Sequence, residues 1–299
     1  MIDVCLLGTG GMMPLPGRHL TAMIMRYNGH SILVDCGEGT QVALRKYAWS
    51  MHSIDGICFT HVHGDHVAGI SGLLSSMATE GRTEAVHIIG PKHIADVISA
   101  LCVVVRVPFA VVFHEAPSES LTLHGVTISP FPVNHNIACY GYRFDVERRP
   151  KFDPVRAKAL QLPVRFWSQL QAGETVDYRG KTFYPKQVLG EERKGISLVY
   201  STDTRPCVTL KNAAINCDLL ITEGIYADPD KAQSAVEKFH MTTQEACVLA
   251  KQAQARRVWL THYSPSFRNQ GEYEDLLEEL NERVCFGKDG MKTTLEFES

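Results

Sequence analysis

His61-Val62-His63-Gly64-Asp65-His66 places four ligand-type side chains within six residues, directly behind the apolar run at 54–60. The run is β-branched or aromatic through its centre, as a buried strand should be. Where a strand ends the backbone turns, so the side chains that follow can converge on one point. Histidines two apart also face the same side of an extended segment. Neutral imidazole and carboxylate suit zinc and related divalent ions. So dense an H-x-H-x-D-H pattern behind a strand points to a metal cage rather than to a solvated histidine patch.

Four ligands do not complete two metals, so further donors are expected at other strand ends. Three residues meet that condition: His135 after the run 128–133, Asp203 after 198–201 and His262 after 258–260. Strands are also expected at 4–7, 31–35, 86–89, 126–133, 197–201, 218–222 and 257–261. Helices are expected at 68–77, 91–105, 242–254 and 272–282, the third with Thr242 as N-cap. Both halves thus bring strand ends that carry metal-type residues, and Phe59-Thr60-His61 is echoed by Leu260-Thr261-His262.

Between the halves, 146–195 is charged, contains Pro150, Pro154, Pro163 and Pro185, and has little strand character. Helices fit 154–160 and 164–171. The segment reads as an inserted arm on a single domain spanning 1–299. The stretch from Arg143 to Arg165 holds Arg143, Arg148, Arg149, Lys151, Arg156, Lys158 and Arg165 against Asp145, Glu147 and Asp153. That local excess suits phosphate-backbone contacts, with Arg148, Arg149 and Lys151 as candidate substrate-binding residues.

The formal net charge of the 299 residues is −3, so no global basic field advertises a nucleic-acid binder, and a polyanion site must be local. Nine cysteines, none in a C-x-x-C pair, read as reduced thiols of a cytoplasmic protein. The N-terminus lacks the pattern of a secretory leader, and no apolar run approaches the ~20 residues of a membrane span. Gly8-Thr9-Gly10-Gly11 has no Walker lysine after it and reads as a tight turn.

The donor series His61, His63, Asp65, His66, His135, Asp203, His262 resembles the ligand series of the metallo-β-lactamase superfamily, and within it the ribonuclease Z family. Leu6-Leu7-Gly8-Thr9-Gly10, Asp35-Cys36-Gly37-Glu38-Gly39-Thr40-Gln41, Gly141-Tyr142-Arg143, Ser201-Thr202-Asp203-Thr204-Arg205 and Leu260-Thr261-His262-Tyr263-Ser264 are similar to that family's blocks. The resemblance implies a four-layer αβ/βα sandwich of the α/β class, with two zinc ions, manganese or another divalent ion being able to take the same donors. One metal would sit on His61, His63 and His135, the other on Asp65, His66 and His262, with Asp203 bridging. A hydroxide activated by both would attack phosphorus. Asp65 would accept the proton of the attacking water, and Asp35 would hold a ligand histidine in its tautomer. His240, supported by Glu223, would protonate the departing ribose oxygen. The substrate would be precursor tRNA, cut to release its 3′ trailer with a 3′-hydroxyl left on the tRNA, by a homodimer in which one subunit's arm reaches tRNA on the other.

Three blocks depart from the family. Its usual His-Glu-Ala-Thr and His-Ser-Thr words are Thr222-Glu223-Gly224-Ile225 and His240-Met241-Thr242-Thr243 here. The arm's usual Gly-Pro tip is Leu162-Pro163-Val164. These changes keep a second enzyme reading open, a phosphodiesterase for small or cyclic nucleotides on the same cage. A catalytically silent RNA-binding scaffold is a third, opposed by the full ligand series.

Overall fold

Apolar runs pair into two seven-stranded sheets in the computed structural model, which describes residues 1–116 and 119–298. The first sheet runs, in spatial order, Lys292–Leu295 (β16), Ile2–Gly8 (β1), Ala22–Tyr27 (β2), His30–Val34 (β3), Ile54–Cys58 (β4), Val86–Pro91 (β5) and Val111–Ala116 (β6). It is antiparallel from β16 to β3 and parallel from β3 to β6. The second runs Val284–Phe286 (β15), Val258–Thr261 (β14), Leu219–Glu223 (β13), Arg193–Ser201 (β12), Tyr140–Arg148 (β9), Val126–Pro132 (β8) and Leu121–Leu123 (β7). Its β12 to β15 are parallel, and β7, β8 and β9 antiparallel.

Alternation along each strand explains the layers. Cys5 and Leu7 of β1 and Ala22 and Ile24 of β2 pack with the helices Thr40–Lys46, Ile70–Thr79 and Ile94–Leu101. Val199 of β12 and Leu220 of β13 pack with Val208–Ala213, Thr243–Ala253 and Glu274–Leu280. The residues between them, Val4, Leu6, Met23, Leu198, Tyr200 and Ile221 among them, point the other way and are also fully buried. Strands covered on both faces read as continuous apolar runs, which is why those runs mark them so clearly. The result is the α/β sandwich expected, helices outside and two mixed sheets within. Tyr142 of β9 ties the sheets together, its hydroxyl donating to the Phe59 carbonyl at 2.7 Å.

Most of the expected elements lie within a few residues of their expected bounds, and Thr242 does cap Thr243–Ala253, in a capping box with Glu245. Strands β6, β7, β9, β15 and β16 are additions, and so is β2. Its signal is turn chemistry: Asn28 and Gly29 both hold positive φ, 50° and 86°, which joins β2 to β3 by a two-residue hairpin.

Contacts divide the chain into two compact units. One contains Met1–Asp145 and Ser197–Glu296; the other contains Val146–Ile196 and the chain's last residues from Phe297. The second unit has its own small core of Ala157, Leu162, Leu170, Val176, Phe183 and Val188. Asp153 caps the helix Pro154–Ala159 through the amides of Val155 and Arg156. The helix expected over 164–171 is instead a 3₁₀ turn, Val164–Phe166, followed by one α-helical turn, Trp167–Gln171. The segment also carries more strand than its charge suggests: β10 (Val176–Tyr178) and β11 (Lys181–Phe183) form a hairpin.

All the strand ends that matter are C-terminal ends. Asp35 follows β3, His61 follows β4, His135 follows β8, Asp203 follows β12, Glu223 ends β13 and His262 follows β14. Replacing Tyr142 with Phe removes the tie between the sheets and leaves the Phe59 carbonyl short of a partner. The expected cost is about 1–3 kcal/mol in urea-induced unfolding; an unchanged midpoint would show that the tie contributes nothing.

Candidate metal centre

The strand-end donors collect into two groups. His61, His63, His135 and Asp203 form one, and Asp65, His66 and His262 the other; within each group, one donor atom per residue lies within 4.8 Å of the rest. In the first, His61 Nε2 is 3.0 Å from His63 Nδ1, and His135 Nε2 is 3.4 Å from that same Nδ1. In the second, the Nε2 atoms of His66 and His262 are 3.3 Å apart. A tetrahedral ion with Zn–N bonds of about 2.0–2.1 Å spaces its ligands about 3.3–3.4 Å apart. Both groups therefore have the spacing of a coordination shell.

Asp203 stands between them. Its Oδ1 is 3.1 Å from His262 Nε2 and 3.3 Å from His66 Nε2, while Oδ2 is 3.7 Å from His61 Nε2 and 3.8 Å from His135 Nε2. Oδ1 is buried and makes no well-directed hydrogen bond. A buried carboxylate oxygen left so is costly unless a cation meets it. The donor set thus fits two divalent ions sharing one carboxylate.

Local chemistry orients the imidazoles. Asp35 is fully buried at φ 58°, a left-handed conformation that Asp tolerates better than most residues. Its Oδ2 accepts from His66 Nδ1 at 2.9 Å, turning the Nε2 lone pair inward. The Thr60 hydroxyl lies 3.0 Å from Asp35 and 3.0 Å from His61 Nδ1. Having one proton, it donates to the carboxylate and accepts from His61. One carboxylate thereby sets the tautomers of a histidine in each group. On the other side, His135 Nδ1 donates to the Phe239 carbonyl at 3.2 Å.

Electrostatics follow from the crowding. Burial opposes charge on His262, but Asp203, Asp65 and Glu223 outweigh it and lift its pKa to about 10. Burial likewise opposes His66, and Asp203 and Asp35 raise it well above the usual histidine value. His61, faced by burial and by His66, is pushed well below it. Burial would raise Asp65 and Asp203, yet neighbouring histidines hold both carboxyls far below the ordinary range. Protons and divalent ions compete for the same Nε2 atoms, so metal binding releases protons.

His240 and Glu223 lie in the same cluster. His240 Nδ1 is 3.0 Å from Glu223 Oε2, and the Glu223 Oε1 receives the Thr204 amide. Glu223 Oε2 is also 3.8 Å from His262 Nδ1. The structure thus gathers His61, His63, Asp65, His66, His135, Asp203, His262, Asp35, His240 and Glu223. Arg148, Arg149 and Lys151 belong to the other compact unit.

Three contributors carry little sequence signal. Thr60 acts through its neighbours. Gly11 packs on the His262 ring so closely that a Cβ there would sit 2.7 Å from it, so the glycine turn after β1 is part of this centre. The Met12 amide donates to Asp65 Oδ2 at 2.6 Å. Elsewhere His30, Asp55 and His124 also approach one another, but the two rings stack 3.5 Å apart with planes 2° from parallel. Imidazole lone pairs lie in the ring plane, so parallel planes do not meet at an ion.

Comparisons with known proteins bear on the family and the fold. Residues 2–103 match the family model described as Anti-Pycsar protein Apyc1, and 166–263 the one described as Beta-lactamase superfamily domain. A protein of Lachnoclostridium phytofermentans named Ribonuclease Z is 48% identical over 100% of this chain and 99% of its own. One of Lachnospira eligens with the same name is 43% identical over the same shares. Among solved structures, the short form of human tRNase Z is 24% identical with a TM-score of 0.70, covering 99% of this chain and 100% of that one.

Asp35→Asn removes the charge that orients His66 directly and His61 through Thr60. Metal affinity is expected to fall about 10- to 100-fold at both positions, read by competition with a chromophoric chelator. Unchanged affinity would contradict the orienting role.

Proposed function

Since the chain belongs to the ribonuclease Z family, we propose that Asp65, His240 and Glu223 carry proton transfer for cleavage at a pair of divalent ions held by His61, His63, Asp65, His66, His135, Asp203 and His262. The protein is a metal-dependent phosphodiester hydrolase, an endoribonuclease that removes the 3′ trailer from precursor tRNA. We take the ions to be two zincs; when bound, they supply Lewis acidity to the attacking water and to the phosphoryl oxygens. The free thiols of all nine cysteines suit work in the cytoplasm. Among the described residues no helix is long and apolar enough to cross a membrane.

The observation that carries the assignment is the place of His240. Its ring centroid is 5.5 Å from that of His135 and 5.5 Å from that of His262, one donor from each group. Its Nδ1 is engaged by Glu223, and its Nε2 has no hydrogen bond among the described residues. That nitrogen is therefore free to hand a proton to the ribose oxygen as it departs, while Glu223 stabilises the charged imidazole. Across the cluster Asp65, its Oδ2 steadied by the Met12 amide, is the carboxylate to receive the proton of the attacking water.

The second unit supports a substrate grip unevenly. Arg149 and Lys151 are exposed and have no ion-pair partner among the described residues. Arg148 is half-buried; its guanidinium donates to the Glu298 carbonyl and lies 5.4 Å from the Phe297 ring centroid. The grip on tRNA phosphates therefore falls to Arg149 and Lys151 more than to Arg148. The family resemblance adds a homodimer, whose mass sedimentation equilibrium would read.

Two outcomes test these assignments. A ribose alkoxide needs a proton and a nitrophenolate does not, so His240→Ala is expected to slow precursor-tRNA cleavage ~10²–10⁴-fold and bis(p-nitrophenyl) phosphate hydrolysis far less, with metal content unchanged. Equal losses on both substrates would reject the acid role. Converting Arg149 and Lys151 to Gln should weaken precursor-tRNA binding and lower its salt slope by about one unit per lost contact. An unaltered salt titration would remove the arm from substrate binding.

A further inference from the structure

Outside the donor set, the contacts that hold this centre in shape converge on Arg205, two residues beyond Asp203. Its amide donates to the Asn134 carbonyl at 2.8 Å, beside His135. Its guanidinium donates to the His240 carbonyl at 2.5 Å and clasps Glu245 twice, from Nη1 to Oε2 at 2.9 Å and from Nη2 to Oε1. Glu245 Oε2 in turn receives the Thr242 amide at 2.9 Å, so the clasp is anchored in the capping box of the helix Thr243–Ala253. Two-point Arg–carboxylate pairs fix direction as well as energy. This one is largely sheltered, with 19% of the Arg205 side chain exposed.

The loop that carries His240 depends on outside support. Phe239 sits at φ 60°, where a bulky residue is strained. Its conformation is held by bonds to three successive carbonyls: Phe239 receives His135 Nδ1, His240 receives Arg205 and Met241 receives the Ile225 amide. The His240 imidazole is held separately, by Glu223, which the Thr204 amide grips. Adjacent residues Thr204 and Arg205 thus hold His240 at its ring and at its backbone.

We propose that Arg205 is a positioning residue for the proton donor: by fixing the His240 carbonyl to the capped helix through Glu245, it holds His240 Nε2 where the departing ribose oxygen will be. This rests on the reading of His240 as the acid. A salt bridge that merely stiffened the helix cap would slow all substrates alike. A positioning role instead slows only the reaction that needs the proton, and only while His240 is present to give it.

The test is a double-mutant cycle on the metal-loaded enzyme, with precursor tRNA and bis(p-nitrophenyl) phosphate as substrates. Arg205→Met is expected to lower kcat on precursor tRNA about 10- to 100-fold, the scale of a small misplacement of a catalytic group. The aryl diester should lose less, with metal content retained. In a His240→Ala background, Arg205→Met should add less than about 3-fold to the loss on precursor tRNA. Glu245→Gln, which keeps the shape of the clasp and removes its charge, should show the same pattern more weakly, and it serves as the variant if Arg205→Met does not fold. If His240→Ala itself shows no preference between the substrates, the acid reading fails and this proposal with it. If His240→Ala shows the preference but the Arg205 and Glu245 variants cost the same factor with and without His240, the proposal alone is overturned.

Discussion

One buried carboxylate faces two sets of imidazoles, and the rest of the centre is arranged around that fact. Asp203 turns Oδ1 toward His66 and His262 and Oδ2 toward His61 and His135. Taking such a charge out of water costs several kcal/mol, and the cost is met only by opposite charge in good geometry. Divalent cations at both faces would meet that need. Because the same residue serves both faces, neither donor group can shift without disturbing the other. The sandwich makes this possible: strands β4, β8, β12 and β14, from two sheets, bring their C-terminal ends to one place, so residues 61, 135, 203 and 262, distant in sequence, arrive together.

Orientation comes from a second ring of contacts, and it is bought with backbone strain. Asp35, Phe239 and His262 all adopt positive φ, at 58°, 60° and 58°. Each of these bends aims a group at the centre: the Asp35 carboxylate at His66 and Thr60, the Phe239 carbonyl at His135, and the His262 imidazole at Asp203. Strain of this kind persists where surrounding bonds over-determine the conformation. Here Asp35 has its bonds to Thr60 and His66, and the Phe239 loop has His135, Arg205 and Ile225. The same rigidity suits the proton transfer proposed for His240, whose Nε2 would have to be held still to act as a donor.

Much of this was readable from residues alone, for physical reasons. A strand covered on both faces is a continuous apolar run, so its end can be located, and a ligand-type residue just beyond that end stands out. His61, His135, Asp203 and His262 are visible that way. Strand β2 is less visible because it is announced by the turn pair Asn28-Gly29 rather than by its own run. The hairpin β10–β11 hides within a charged segment for a similar reason. Contacts such as Arg205 with His240 and Glu245 leave no trace in spacing, because the loops that meet are 35 and 40 residues apart. Gly11 looks like any turn glycine until the His262 ring is placed against it.

The central claim is that the two donor groups are halves of one site joined through Asp203. Metal content per chain, measured by atomic emission after zinc loading and gel filtration, addresses it directly when the parent is compared with Asp203→Ala. About two zincs are expected in the parent. In the variant both donor groups should lose metal together, and hydrolysis of precursor tRNA and of bis(p-nitrophenyl) phosphate should collapse alike. A variant that kept its full complement of metal and its activity on both substrates would contradict it.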